Sequence, residues 1–176
     1  MEKKYSPGTP EDLFGRKVRL LVAQMTYPEL VNFLTQHRGG KDAEQDLRDV
    51  GANTCKGLLK VWKPKSRGVI SLIKELVKVI WNGKMGYKML ERTSDKRPLL
   101  VEFIDKDCKL CKSEEEVLKV EGLHYCAAVS GFIEELLNYM VKQGTMKLPY
   151  KTAQVETVSS IGSGDNKCSH VCMFSY

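Results

Sequence analysis

The spacing of apolar residues changes near residue 85, and this change constrains the fold more than any other feature of the chain. Before it, apolar residues recur every three to four positions, which is typical of amphipathic helices. After it, Tyr87–Arg92 and Leu99–Asp105 alternate with a period of two, as strands do. Helical spacing returns over His124–Lys142, and two further strands are predicted at Thr152–Ser159 and Cys168–Tyr176.

Three helices are predicted in the first half of the chain, at Pro28–Arg38, Asp42–Trp62 and Gly68–Trp81. Pro28 suits the first turn of a helix, and Pro64 cannot continue the second helix. The resulting order is three helices, two strands, one helix and two strands. It predicts an α+β fold in two layers, with a four-stranded antiparallel sheet packed against about four helices.

Length and composition favour one intracellular domain. The 176 residues suit a single domain over residues 25–176, preceded by an N-terminal arm and lead-in over residues 1–24. The start of the chain lacks the apolar stretch of a secretory signal, and no apolar run approaches the roughly 20 residues of a membrane span. We therefore expect a cytoplasmic protein, peripheral to a membrane if it meets one, whose cysteines begin reduced.

Five of the six cysteines lie in the second half of the chain, in spacings that metal sites use. Cys108 and Cys111 have the spacing of a zinc knuckle, and Cys126 lies near the start of a helix. Two other interpretations stay open: buried thiols that act as small apolar side chains, or a redox pair. We predict a zinc ion, held mainly by Cys108, Cys111, Cys126 and Cys168. The reserve ligands are Glu156, Cys172 and His124, with His170 as a second imidazole.

Signals for catalysis are weak. The Gly162–Gly164 loop precedes a strand, whereas a phosphate-binding loop precedes a helix. No serine lies in a nucleophile elbow, and the three histidines lack the spacing of a metalloprotease. We therefore expect a binding protein and not an enzyme.

Basic residues cluster between the second and third predicted helices. The chain carries a net charge of +6, and no acidic residue interrupts residues 56–67. Such a surface suits an anionic membrane or an acidic protein, and no groove-reading motif points to nucleic acid. The alternative is a solvated helix end beside a basic loop. The predicted basic surface consists of Lys56, Lys60, Lys63, Lys65 and Arg67.

Small residues in the second helix predict a subunit interface. Gly51, Cys55 and Gly57 would allow another helix to approach closely, and the broad apolar faces of the first three helices exceed what a small sheet covers. We expect a dimer with the same chain or with a subunit of the same fold. Cys55 alone is also compatible with ordinary packing inside the domain.

The chain resembles two related families in these same regions. Cys126, Gly131, Glu156 and the run Gly164–Cys168 resemble the 4-vinyl-reductase domain, a small-molecule-binding module. The whole chain resembles subunits of the transport protein particle (TRAPP), a membrane-tethering complex. The matching stretches are Met25–Val31, Leu47–Gly51 and Pro98–Phe103.

The resemblance implies a fold with four antiparallel strands, dimers built through helices, and zinc bound by cysteines and a glutamate. Cys126, Glu156 and Cys168 correspond to three such ligands, and the remaining cysteine position falls at Ser159 or Ser160. The tethering subunits carry an acylated cysteine near the third helix, where this chain has Lys65–Gly68 and no thiol. The implied function is that of an archaeal relative of the subunits used in vesicle tethering. The alternative is a domain that senses a small hydrophobic molecule.

Overall fold

The computed structural model describes residues 25–81, 83–111, 120–145 and 150–176. The predicted N-terminal arm lies outside these residues. Four α-helices are present in the described chain, and each coincides with a predicted helix. They are α1 over residues 25–38, α2 at Gly40–Val61, α3 at Val69–Trp81 and α4 at Ala127–Lys142.

A four-stranded antiparallel sheet forms the rest of the domain. Its strands lie in the order β1-β2-β4-β3, so β1 and β3 are the edge strands. A short 3₁₀ helix at Ile161–Ser163 precedes the last strand. The predicted α+β class is confirmed. The strands are β1 at Gly86–Arg92, β2 at Pro98–Asp105, β3 at Thr152–Ser159 and β4 at Cys168–Ser175.

The start of α4 differs from its predicted position by three residues. The sequence predicts a helix from His124, but α4 begins at Ala127, with Cys126 at its N-cap. The preceding residues form a turn in which the Ala127 N–H donates to the His124 carbonyl at 2.9 Å. The apolar character of Leu123 to Cys126 reflects burial of this turn, and not helical periodicity.

One face of the sheet is buried and carries the residues of the site. Across the strands, Phe103 pairs with His170 and His170 with Thr157, and all three side chains are buried. Asp105 and Cys168 form the next buried pair along the same face. Alternation along each strand places the intervening residues on the opposite face of the sheet.

Helices α2 and α4 cross in close contact because each has a glycine at the crossing. A Cβ atom at Gly51 would lie 1.8 Å from the Ala128 carbonyl oxygen, and one at Gly131 would lie 2.0 Å from the Arg48 carbonyl oxygen. Glycine permits such an approach because it has no Cβ. The prediction that Gly51 contacts a partner subunit is therefore wrong, because α4 of the same chain covers it.

Cys55 faces the same interior. It lies one turn after Gly51 on α2, and its side chain is fully buried within the single chain. Burial raises the pKa of its thiol to about 12, as expected of a packed apolar side chain. Its predicted place in a subunit interface is also wrong. Gly57 is exposed with open space around it, so its place in an interface stays a prediction.

The edge of the sheet at β3 is covered by side chains. The amide of Asn138 pairs with both the N–H and the carbonyl of Ala153, at 2.9 Å each. The Glu134 carboxylate accepts the Val155 N–H at 2.8 Å, and Arg48 donates to the Val155 carbonyl. These side chains occupy backbone groups that a strand of another molecule would need.

Candidate metal centre

Four of the predicted ligands come together from three separate segments. Cys108 and Cys111 lie in the loop that follows β2, Cys126 lies just before α4, and Cys168 is the first residue of β4. All four side chains are buried. The loop after β2 therefore folds back over the point where α4 and β4 begin.

The spacing of the sulfur atoms suits a metal ion. The Sγ atoms of Cys108, Cys111 and Cys168 all lie within 4.8 Å of one another, and those of Cys111 and Cys168 are 3.4 Å apart. Cys126 lies beside this group, near enough for the other three thiols to shift its pKa, but its Sγ is not among the three that lie within 4.8 Å of one another. Zinc binds thiolates at about 2.3 Å in a tetrahedron, which places sulfur atoms about 3.8 Å apart. Three of the cysteines therefore fit ligands of a tetrahedral ion, and Cys126 is the nearest candidate for the fourth.

The electrostatics of the group favour ionisation of one thiol first. Interactions with the neighbouring thiols of Cys108, Cys126 and Cys168 lower the pKa of Cys111, and its sulfur lies 3.4 Å from that of Cys168. The same contacts with Cys108 and Cys111, together with burial, raise the pKa values of Cys126 and Cys168. A cluster in which one thiolate lies among neighbouring thiols can lose further protons when a divalent cation binds. The cation takes the place of the protons that the sulfur atoms share.

The turn before β4 directs hydrogen-bond donors at two of the sulfur atoms. The Ile161 N–H donates to Cys168 Sγ at 3.4 Å, and the backbone of Gly162 helps to lower the pKa of Cys111. The Ser160 hydroxyl lies 3.7 Å from Cys111 Sγ and accepts the Cys126 N–H at 3.3 Å. These donors stabilise negative charge on sulfur in a site with little water. Ser160 thus occupies one of the two positions where the resemblance implies a cysteine, and the Cys108–Cys111 loop brings two thiols to the same place.

His170 is a buried polar residue next to the thiol group. Its Nε2 lies 4.0 Å from Cys126 Sγ, and its Nδ1 lies 2.8 Å from the Ser130 hydroxyl and 3.3 Å from that of Thr157. Burial lowers the pKa of the imidazole to about 4, so His170 is neutral at physiological pH. The sequence suggested this residue only as a second imidazole, and only the structure reveals its contacts.

Glu156 is on the wrong face of the sheet for the centre. It is exposed, whereas its neighbours Val155 and Thr157 are buried on the face that carries Cys168 and His170. Its strand partner, Val171, also lies on the outer face. The predictions that Glu156 is a reserve ligand and corresponds to a family ligand are therefore wrong for this chain, because strand alternation turns its carboxylate away.

The other two reserve ligands also lie apart from the thiol group. Cys172 shares the buried face with Cys168, but four residues of strand separate them by about 13 Å. It pairs instead with Val101 and Val155 in the middle of the sheet. The imidazole of His124 contacts the Glu44 carboxylate, with Nδ1 3.2 Å from Oε1. Neither is placed to bind an ion at the thiols.

The predicted basic surface is exposed and partly rigid. The side chains of Lys56, Lys60, Lys63, Lys65 and Arg67 all reach solvent. The Glu75 carboxylate accepts the backbone N–H groups of Lys65 at 3.0 Å and Ser66 at 2.8 Å, which fixes the loop between α2 and α3. Lys56 forms a long ion pair with Glu135 at 3.9 Å, which is worth little at an exposed position.

No family model matches the sequence, and no curated protein matches it either. Solved structures do match. One is a trafficking protein particle complex subunit 3 from Naegleria fowleri, determined with covalently bound palmitic acid. It is 13% identical and superposes with a TM-score of 0.65, over 91% of this chain and 97% of that chain. This chain therefore has the fold of a TRAPP subunit, and the predicted resemblance is confirmed at that level.

Two further structures match less closely. The phenol-responsive sensory domain of the transcription activator PoxR, determined with phenol, is 11% identical. It superposes with a TM-score of 0.53 over 86% of this chain and 74% of that chain. A vinyl-4-reductase family protein from Methanocaldococcus jannaschii is 17% identical over 98% of this chain and 86% of that chain, with a TM-score of 0.40.

Proposed function

We propose that this chain is a non-enzymatic scaffold subunit that carries a structural zinc ion on Cys108, Cys111, Cys126 and Cys168. The observation that carries the proposal is the convergence of four buried thiols from three separate segments. A catalytic zinc site keeps one coordination position open for water or substrate, whereas a structural site is closed by protein ligands. A buried site with four thiols is of the closed kind. The ion would tie the loop after β2 to the starts of α4 and β4.

The fold and the exposed apolar side chains support the proposed assembly with a second copy or with another subunit of the same fold. The fold matches a complex subunit over nearly all of that subunit's length. The outer surfaces of α1 and α2 expose large apolar groups to solvent. Those groups are Met25, Phe33, Val50 and Val61, of which Val61 is 86% exposed and Phe33 is 57% exposed.

Native mass spectrometry of protein purified without chelator tests both parts of the proposal. We expect a dimer with one zinc ion per chain. Phe33→Glu should shift the species towards monomer and leave the metal content unchanged, because Phe33 lies on the outer surface of α1. A purely monomeric wild-type protein at micromolar concentration would count against self-assembly. A wild-type protein with well under one metal ion per chain would count against the zinc centre.

The basic surface gives the scaffold a means of meeting an anionic membrane. Among the described residues, no helix is both long and apolar enough to cross a bilayer. A peripheral contact needs exposed cations near the lipid, each contributing about 1 kcal/mol at an anionic surface. Five such residues lie within 12 consecutive positions, 56–67, and Glu75 holds part of their loop in place.

Liposome flotation tests this contact. We expect the wild-type protein to float with vesicles that contain anionic lipid at low salt, and to remain unbound with neutral vesicles. The double variant Lys60→Glu and Arg67→Glu should lose binding. The matched control, Lys41→Glu and Lys151→Glu, changes the net charge equally at exposed sites outside the segment and should still float. Equal behaviour of the two double variants would reject this surface as the membrane contact.

A second candidate function is the binding of a small hydrophobic molecule. A surface cavity of about 380 Å³ at the start of α3 is lined by Val69, Ile70, Pro98 and the stem of Lys74, among others. Its apolar lining suits such a ligand. The sensory domain that shares the fold was solved with phenol bound. Recovery of a defined small molecule at one equivalent per chain would favour this function over the scaffold.

A further inference from the structure

His170 is fully buried at the centre of the sheet, where a polar side chain is costly unless it has partners. Its partners come from two other elements: Thr157 from β3, and Ser130 and the N-cap residue Cys126 from α4. The Ser130 and Thr157 hydroxyls are also 2.8 Å from each other. This buried chain of polar groups therefore ends at one of the four thiols.

The hydroxyls are placed so that the imidazole proton can lie on Nε2. A neutral imidazole has one N–H donor and one bare nitrogen acceptor. If Thr157 donates to Ser130, and Ser130 donates to Nδ1, both hydroxyl protons are used and Nδ1 is the acceptor. The N–H then lies on Nε2, the nitrogen that faces Cys126 Sγ at 4.0 Å.

Cys126 needs such a donor more than Cys111 and Cys168 do. Cys168 Sγ receives the Ile161 N–H, and the backbone of Gly162 helps to lower the pKa of Cys111. Cys126 Sγ instead lies 4.0 Å from the Ser159 carbonyl oxygen, which can accept from a thiol but repels a thiolate. Ionisation of Cys126 by a metal would remove that favourable contact. A donor on another side of the sulfur would offset the loss.

We propose that His170 is a positioning residue of the metal centre, which donates its Nε2–H to the Cys126 thiolate and is itself oriented by Ser130 and Thr157. The inference rests on the zinc function proposed above. It assigns to His170 a role outside the ligand set. Outer hydrogen bonds of this kind orient ligands and tune metal affinity, and their loss costs about 10- to 100-fold in affinity.

Two substitutions of His170 distinguish its hydrogen bond to Cys126 from its packing in the core. His170→Leu removes the donor, and His170→Gln keeps an N–H near the position of Nε2. In competition with a chromophoric chelator, we expect His170→Leu to lower zinc affinity by about 10- to 100-fold and His170→Gln to restore most of it. The control is Cys172→Ala, on the same buried face of β4 but away from the thiols, which should leave affinity unchanged. Equal affinities for wild type and His170→Leu would overturn the proposal.

Two measurements on the wild-type protein make the test independent of whether the variants fold. Nitrogen NMR of the zinc-loaded protein should show the His170 proton on Nε2, and a proton on Nδ1 would reject the proposed donor. X-ray absorption should show four sulfur ligands, whereas three sulfurs and one nitrogen would make His170 a ligand and overturn the positioning role. A wild-type protein that binds no zinc would refute the zinc function itself. That result differs from a protein that binds zinc with an affinity unchanged by substitution of His170.

Discussion

Replacement of Cys111 by serine is expected to abolish stoichiometric zinc binding and to lower the thermal stability of the metal-loaded protein. Cys111 Sγ lies within 4.8 Å of the sulfur atoms of Cys108 and Cys168, and its pKa is the most strongly lowered in the group, so it is the thiol that ionises first. An ion present at a thousand times its dissociation constant stabilises the folded state by about 4 kcal/mol. For a chain of this length, that corresponds to a Tm lower by roughly 8–16 °C.

The measurement is metal content by elemental analysis together with thermal unfolding, each with and without chelator. Cys172→Ser is the matched control, since Cys172 is equally buried but lies about 13 Å from Cys168 along the strand. It should retain one zinc ion per chain. The expected pattern includes a chelator-dependent Tm for wild type and Cys172→Ser, and a chelator-independent Tm for Cys111→Ser. A full zinc complement in Cys111→Ser would contradict the assigned ligand set.

Substitution of alanine at either glycine of the α2–α4 crossing is expected to destabilise the fold strongly. A methyl group at Gly51 or Gly131 would lie within about 2 Å of a backbone carbonyl oxygen, so the two helices would have to move apart. Forced overpacking of a buried site costs about 1–3 kcal/mol and sometimes more, and a clash with rigid backbone belongs at the upper end. We therefore expect about 3 kcal/mol or more for each variant in urea unfolding.

Gly57→Ala provides the control within the same helix. A Cβ at Gly57 meets nothing within 4 Å, and alanine is about 0.5–1 kcal/mol better than glycine inside a helix. This variant should be neutral or stabilising. If Gly51→Ala and Gly57→Ala behaved alike, the close crossing of α2 and α4 would not exist in solution. The larger Gly51→Glu should likewise unfold the monomer, and not merely separate subunits.

Much of this fold follows from local sequence patterns, because its elements are short and their periods are distinct. The limits of β3 are as predicted, and those of β4 differ from the predicted limits by one residue. The start of α4 was missed because Leu123 and Tyr125 are apolar for a tertiary reason: both are buried beneath the turn. The covering of the β3 edge was also missed. Glu134 lies in a helical pattern in which a carboxylate is ordinarily expected to face solvent. Only its contact with the Val155 N–H of β3 shows that it covers the sheet edge.

The candidate metal centre, like the fold, could be predicted only in part from the sequence. The spacing of Cys108 and Cys111 is a local signal, whereas their meeting with Cys126 and Cys168 depends on a loop path that no sequence period records. Glu156 could have been excluded from the sequence, since it alternates with Val155 and Thr157 on a strand whose buried face those residues mark. The distance from Cys168 to Cys172 could also have been calculated from the rise of a strand. His170 had no such signal, because its partners come from two other elements.

The covered edge of β3 limits how copies of this protein can associate through their sheets. Among the described residues, the outer edge of β1 has no strand beside it, whereas β3 has its backbone groups taken by Asn138, Glu134 and Arg48. A sheet with one available edge can join one neighbour, β1 against β1, and the joined sheet then ends in a covered β3 on both sides. The contacts at Ala153 and Val155 therefore oppose the addition of a further strand along this part of β3.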